Sequence, residues 1–87
     1  MTNLTEAEAI QMAMDALEAN EMGYDVSEGF QAKYSAEEVL RDETIDSVWI
    51  ISYVTPPGFF EQHDHFMYIS DSKQQILYVM TQSGYVG

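Results

Sequence analysis

Cysteine is absent from the chain. That excludes a disulfide scaffold, a thiolate zinc site and a cysteine nucleophile together. Basic residues are almost absent as well: three Lys and Arg stand against fifteen Asp and Glu. A chain so acidic repels phosphate backbones, so direct binding to nucleic acid or to an anionic membrane is not expected. Long apolar runs are missing too. The longest, residues 48–51 and 76–80, fall far short of the ~20 residues of a membrane span. The first residues hold no positive charge and no apolar run, so no secretory signal is read, and a cytoplasmic protein is expected. The five glycines are scattered, which leaves no phosphate-cradling loop, and no Ser sits in a nucleophile elbow. No enzyme motif is present, and a non-enzymatic role is expected without a cofactor.

What remains is 87 residues, 46% hydrophobic and 13% aromatic, with a formal net charge of −12. Such a chain holds one modest core and is not disordered. The charge is uneven. Residues 1–46 carry twelve acids and two bases, Lys33 and Arg41, whereas residues 47–87 carry Glu61, Asp64 and Asp71 against Lys73. The first part favours helix; the second is apolar, aromatic and β-branched. With no linker or repeat between them, residues 1–87 read as a single α+β domain. The expected architecture is one long N-terminal helix packed on an antiparallel β-meander of three to four strands.

The helix is placed at about 5–21. Thr5 and Glu8 have the capping-box spacing, with Leu4 just outside. Ile10, Ala13, Met14 and Leu17 form an apolar stripe. Met14 is expected to pack in the core and Met12 to sit half-exposed on its flank, while Gly23 is suited to a left-handed C-cap. Phe30, Ala32 and Tyr34 alternate with polar residues as in a short strand. Ser35 and Glu38 repeat the capping spacing, so residues 36–42 read either as a short helical turn or as an acidic loop. Residues 47–55 form a strand that is apolar on both sides and is expected at the centre of the sheet. Pro56, Pro57 and Gly58 end it. A strand resumes near 63–70, a turn follows at 71–74 with Asp71 bonding its own backbone, and 75–81 is the last strand before a loose tail, 82–87.

Three constellations could carry function. Glu61, His63 and His65 recur at every second position, which on a strand is a face a zinc or nickel ion could use. Structural sites recruit four ligands, so a solvated loop is the preferred reading and no metal is expected. Trp49, Tyr53, Tyr68 and Tyr78 are candidates for an exposed aromatic face, which a homodimer would cover. The acidic run Glu37, Glu38, Asp42, Glu43 and Asp46, opposed only by Arg41, is either a solvated face or a docking patch for a basic protein. The docking reading is preferred. Tyr53, Glu61 and Asp64 are added as rim contacts. The partner would be a basic toxin or a nucleic-acid enzyme, and charge would speed and orient the encounter.

The order of elements also resembles a family of small bacterial immunity proteins, the YrhB-like type, that neutralise polymorphic toxins. The likeness lies in the alanine-rich helix 6–17, the strand that opens Val48-Trp49 and reaches Tyr53, and the strand Phe66-Met67-Tyr68-Ile69-Ser70. A Ser/Asp turn then leads into Lys73 to Tyr78. Such families carry glycine in the turn before the last strand, as in D-x-x-G-x-I; here Gln74 stands at that place. A helix-plus-meander of the peptidase-propeptide type has a similar outline. The resemblance implies a toxin-binding antidote and assigns no catalytic residue. Two other readings are a DNA-mimicking or phage anti-defence inhibitor and a small homodimeric regulatory module.

Overall fold

The computed structural model describes residues 2–20, 23–25, 27–56 and 62–81, and the backbone of 84–86. Helix α1 spans Glu6–Ala19. It starts where the sequence places a start: Thr5 Oγ1 accepts from the Glu8 amide at 3.1 Å, and Glu8 Oε1 accepts from the Thr5 amide at 3.0 Å. Each bond satisfies a donor that the first turn would leave orphaned. The helix ends at Asn20, whose amide and side-chain Nδ2 both donate to the Ala16 carbonyl. Gly23 is therefore not the cap. Its role is close approach: a Cβ there would lie 2.9 Å from Pro56 Cγ.

Among the described residues, five antiparallel strands follow in simple meander order: β1 Gln31–Val39, β2 Ile45–Val54, β3 Asp64–Ser70, β4 Gln75–Thr81 and β5 Gly84–Val86. The expected α+β architecture, an N-terminal helix on an antiparallel meander, is the one observed. Three local expectations change. Residues 36–39 are not helical, because β1 runs through them as far as Val39, with a bulge between Ser35 and Glu38 that absorbs the extra residue. The tail is not wholly loose, since Gly84–Val86 pairs with β4. And β2 is interior, but β3 holds the central place.

Alternation along the strands divides the sheet into two faces. One face carries Trp49, Ile51, Tyr53, Met67 and Ile69, and α1 covers it with Ala9, Ala13 and Leu17. The small alanines let the helix backbone sit close to the sheet. Met12 sits half-buried on the flank of this core, as expected, whereas Met14, expected inside it, is exposed. The opposite face carries a smaller cluster in which Leu40, Val48 and Tyr78 are buried, with Ile50, Tyr68 and Leu77 against them. The four aromatics read together from the sequence thus fall on opposite faces, Trp49 and Tyr53 under the helix and Tyr68 and Tyr78 beyond it.

One buried carboxylate joins the helix to the sheet. Asp71 is 2% exposed. It accepts from the amides of Asn3 and Leu4, each at 2.8 Å, and from the Trp49 indole at 3.1 Å. Its own amide donates to the Ser47 carbonyl. These bonds hold the entry to α1 level with Trp49.

Candidate protein-docking site

The acidic run gathers at one end of the molecule, on the hairpin made by β1, residues 40–44 and β2. The loop closes through Leu40, whose amide donates to Thr44 O at 2.8 Å, and through Glu43, whose amide donates to Leu40 O at 2.9 Å. Glu43 takes a left-handed φ of 68°. Asp42 accepts from both the amide and the hydroxyl of Thr44, a local turn that competes well with water. The Thr44 hydroxyl, the Thr44 amide and nearby Lys73 hold the Asp42 carboxyl below its ordinary value.

The hairpin end is pinned from the open face of the sheet. Leu40 is buried against Val48 and Tyr78. The Arg41 guanidinium lies 4.7 Å from the centre of the Tyr78 ring, within cation–π range, and the Arg41 amide donates to the Tyr78 hydroxyl. Asp46 accepts from Ser70 Oγ at 2.8 Å, from Ser72 Oγ at 2.7 Å and from the Ser47 amide at 2.8 Å. Those serine hydroxyls, ahead of the opposing effect of burial, lower the Asp46 pKa.

The five acids are therefore not equivalent. Glu37 and Glu43 are exposed. Asp42 is exposed but engaged in its own turn. Glu38 is half-buried, and in register it lies directly opposite Asp46, whose carboxylate is committed to the sheet. Facing like charges on paired strands oppose the hairpin's stability.

The expected rim does not join this end. Asp64 begins β3 opposite Val54, and Val54 is nine residues along β2 from Ile45, roughly 30 Å at ~3.3 Å per residue. Tyr53 is not a rim contact either: it is 2% exposed, with its ring between those of Phe30 and His65. It points to the helix side because it shares the parity of Trp49 and Ile51 along β2. Glu61 lies outside the described residues.

Of the alternating Glu61, His63 and His65, the two histidines fall within the described residues. His63 precedes β3, so strand alternation begins only at Asp64. His65 turns toward the core, its ring edge-on to Tyr53 with centroids 5.6 Å apart. Burial and the neighbouring His63 lower its pKa. The Tyr53 hydroxyl and His65 Nδ1 are both buried without a hydrogen-bond partner. Among the described residues, no three His, Asp or Glu side chains come together as metal ligands.

Two features of the hairpin end were not read from the sequence. Val39 and Ile45 are register partners and, among the described residues, the most exposed of the large hydrophobic side chains, at 63% and 67%. Their signal in sequence is an apolar residue on each side of an acidic loop. No protein-family model, no curated protein and no solved structure matches the chain.

Proposed function

We propose that this protein is a non-enzymatic inhibitor that docks on a basic partner protein and occludes its active site or substrate groove. Within that class, we propose an immunity protein that neutralises a bacterial toxin. The observation that carries the reading is the acidic hairpin end, which is exposed at its tip and held from behind by Leu40, Arg41 and the Asp46–serine bonds. An acidic surface that is already ordered accelerates encounter and loses little entropy on docking. The facing Glu38 and Asp46 add to this, because a cationic partner would relieve a repulsion that the free protein bears. The immunity assignment rests on the pattern resemblance. At the place where that pattern carries glycine, Gln74 adopts a left-handed φ of 52°.

The test is a tagged pull-down from lysate of the source cell, at low and then moderate salt, followed by an activity assay of whatever is retained. The reading expects one basic protein in stoichiometric amount, weakened by salt, whose activity falls when this chain is added. A toxin from the same cell favours the immunity assignment; a host defence or DNA-processing protein favours an anti-defence inhibitor. A retained protein that stays fully active contradicts inhibition. A homodimer that retains nothing favours the regulatory module.

A further inference from the structure

We infer that Val39 and Ile45 form the apolar anchor of the docking site. Its occupant is a segment of a basic protein that carries an aliphatic or aromatic side chain between Lys or Arg residues. The inference rests on the inhibitor reading and deepens it by naming the contact surface and the chemistry it selects.

Position comes first. Ile45 shares the parity of Trp49 on β2, so it projects from the helix side of the sheet, and Val39 follows as its register partner. The entry to α1 is fixed level with Trp49 by the Asp71 bonds. Ile45 lies four residues further out, about 13 Å at ~3.3 Å per residue. The hairpin therefore extends beyond the entry of the helix that packs on Trp49, Ile51 and Tyr53, and its aliphatic pair stays bare, at 63% and 67% exposure.

Single exposed aliphatic residues need no explanation; these two face each other on a fixed hairpin and make a small continuous apolar patch. The hairpin is held from the opposite face by Leu40 against Val48 and Tyr78. A partner would meet a surface that is already ordered, which lowers the cost of binding.

Charge selects the occupant. Glu37 lies close before Val39 on β1, and Asp42 and Glu43 occupy the loop between the pair. An apolar centre with an acidic margin complements an apolar side chain flanked by cations. A second copy of this chain would bring the same carboxylates to the same place and be repelled. A cross-strand β-branched pair also supports its own hairpin, so the test preserves β-branching.

The experiment is an amide NMR titration of the full chain at low salt with two short peptides of equal charge, one alternating Lys and Leu, the other Lys and Ser. A second titration uses Val39→Thr/Ile45→Thr. The wild-type chain is expected to bind the Lys/Leu peptide about tenfold more tightly than the Lys/Ser peptide, as burial of a few aliphatic groups would give. Shifts should centre on residues 37–46. In the double Thr variant that preference should vanish while Lys/Ser binding persists. Should the double variant fail to fold, Ile45→Thr alone serves, and the comparison of peptides on the wild-type chain stands by itself.

Equal binding of the two peptides by the wild-type chain overturns the anchor and leaves the charge reading intact. Shifts centred on Ile50 and Phe66 overturn it as well, since they place the contact on the open face. Concentration-dependent shifts at Val39 and Ile45 without peptide overturn the choice of occupant in favour of a second copy. Binding of neither peptide contradicts the inhibitor reading itself, and the anchor falls with it.

Discussion

Asp71 shows how one carboxylate can organise an acidic protein. Burial alone would raise its pKa, yet the Asn3 and Leu4 amides and the Trp49 indole donate to the charged form and together hold it below the usual carboxylate value. A carboxylate with a lowered folded pKa contributes stability that is full above its unfolded value and is lost as pH falls through the folded one. His65 acts in the same direction. Its folded pKa is lowered, mainly by burial, so the unfolded chain takes up a proton first as pH falls below the ordinary 6.5. Melting temperature should therefore drop in two acid steps, the first just below neutrality and the second in the carboxylate range. His65→Leu should remove the first step, and its persistence in that variant would show that another group carries it. Asp71→Asn should cost roughly 1.5–3 kcal/mol in urea unfolding, because an amide NH2 would face a backbone N–H where a charged acceptor now stands. From sequence, Asp71 is legible only as a turn residue. It is free to reach the helix entry because Ser70 Oγ, not the Asp71 side chain, accepts from the turn amide of Lys73.

At the scale of elements, α1 was legible because local signals agreed: a capping box, a 3.6-residue stripe and a polar stop. Strands β2, β3 and β4 were legible from β-branched and aromatic runs ended by turn residues. The end of β1 was not. Ser35 and Glu38 imitate a capping box, but pairing with residues 45–48 of β2 supplies partners that a lone helical turn lacks, and tertiary pairing decides. The acids of the candidate site were likewise visible, while their division into free and engaged was not. It depends on the local turn that Thr44 makes with Asp42, and on Ser70 and Ser72, which come near Asp46 only through strand register. The turn between β3 and β4 gives a further check. Gln74 occupies a left-handed φ of 52°, which costs an L-residue about 1 kcal/mol. Gln74→Gly should be neutral to stabilising, by up to about 1 kcal/mol after the glycine's greater unfolded entropy is set against that relief. Gln74→Val should be destabilising by at least ~1 kcal/mol. Equal melting temperatures for the two variants would remove the strain from this account.

The whole molecule measures 40 × 26 × 20 Å and carries a net charge of −12. Among the described residues no helix is long and apolar enough to cross a membrane. Charge of one sign on a body this small destabilises the folded state through self-repulsion. The Debye length shrinks from ~30 Å at 0.01 M to ~3 Å at 1 M salt, so melting temperature should rise with salt across that range. A falling one would mean that attractive ion pairs outweigh the repulsion. Partner binding should respond in the opposite sense, because the same screening removes the attraction of an acidic hairpin for a basic surface. The most direct measurement is the association rate of the captured partner with the wild-type chain and with Glu37→Lys/Glu43→Lys. Both side chains are exposed and neither closes the hairpin by a side-chain hydrogen bond shown in the structure. The account predicts a fall of at least about tenfold at low salt, with the two rates converging as salt is added. An unchanged association rate at low salt, with the fold intact, would contradict it.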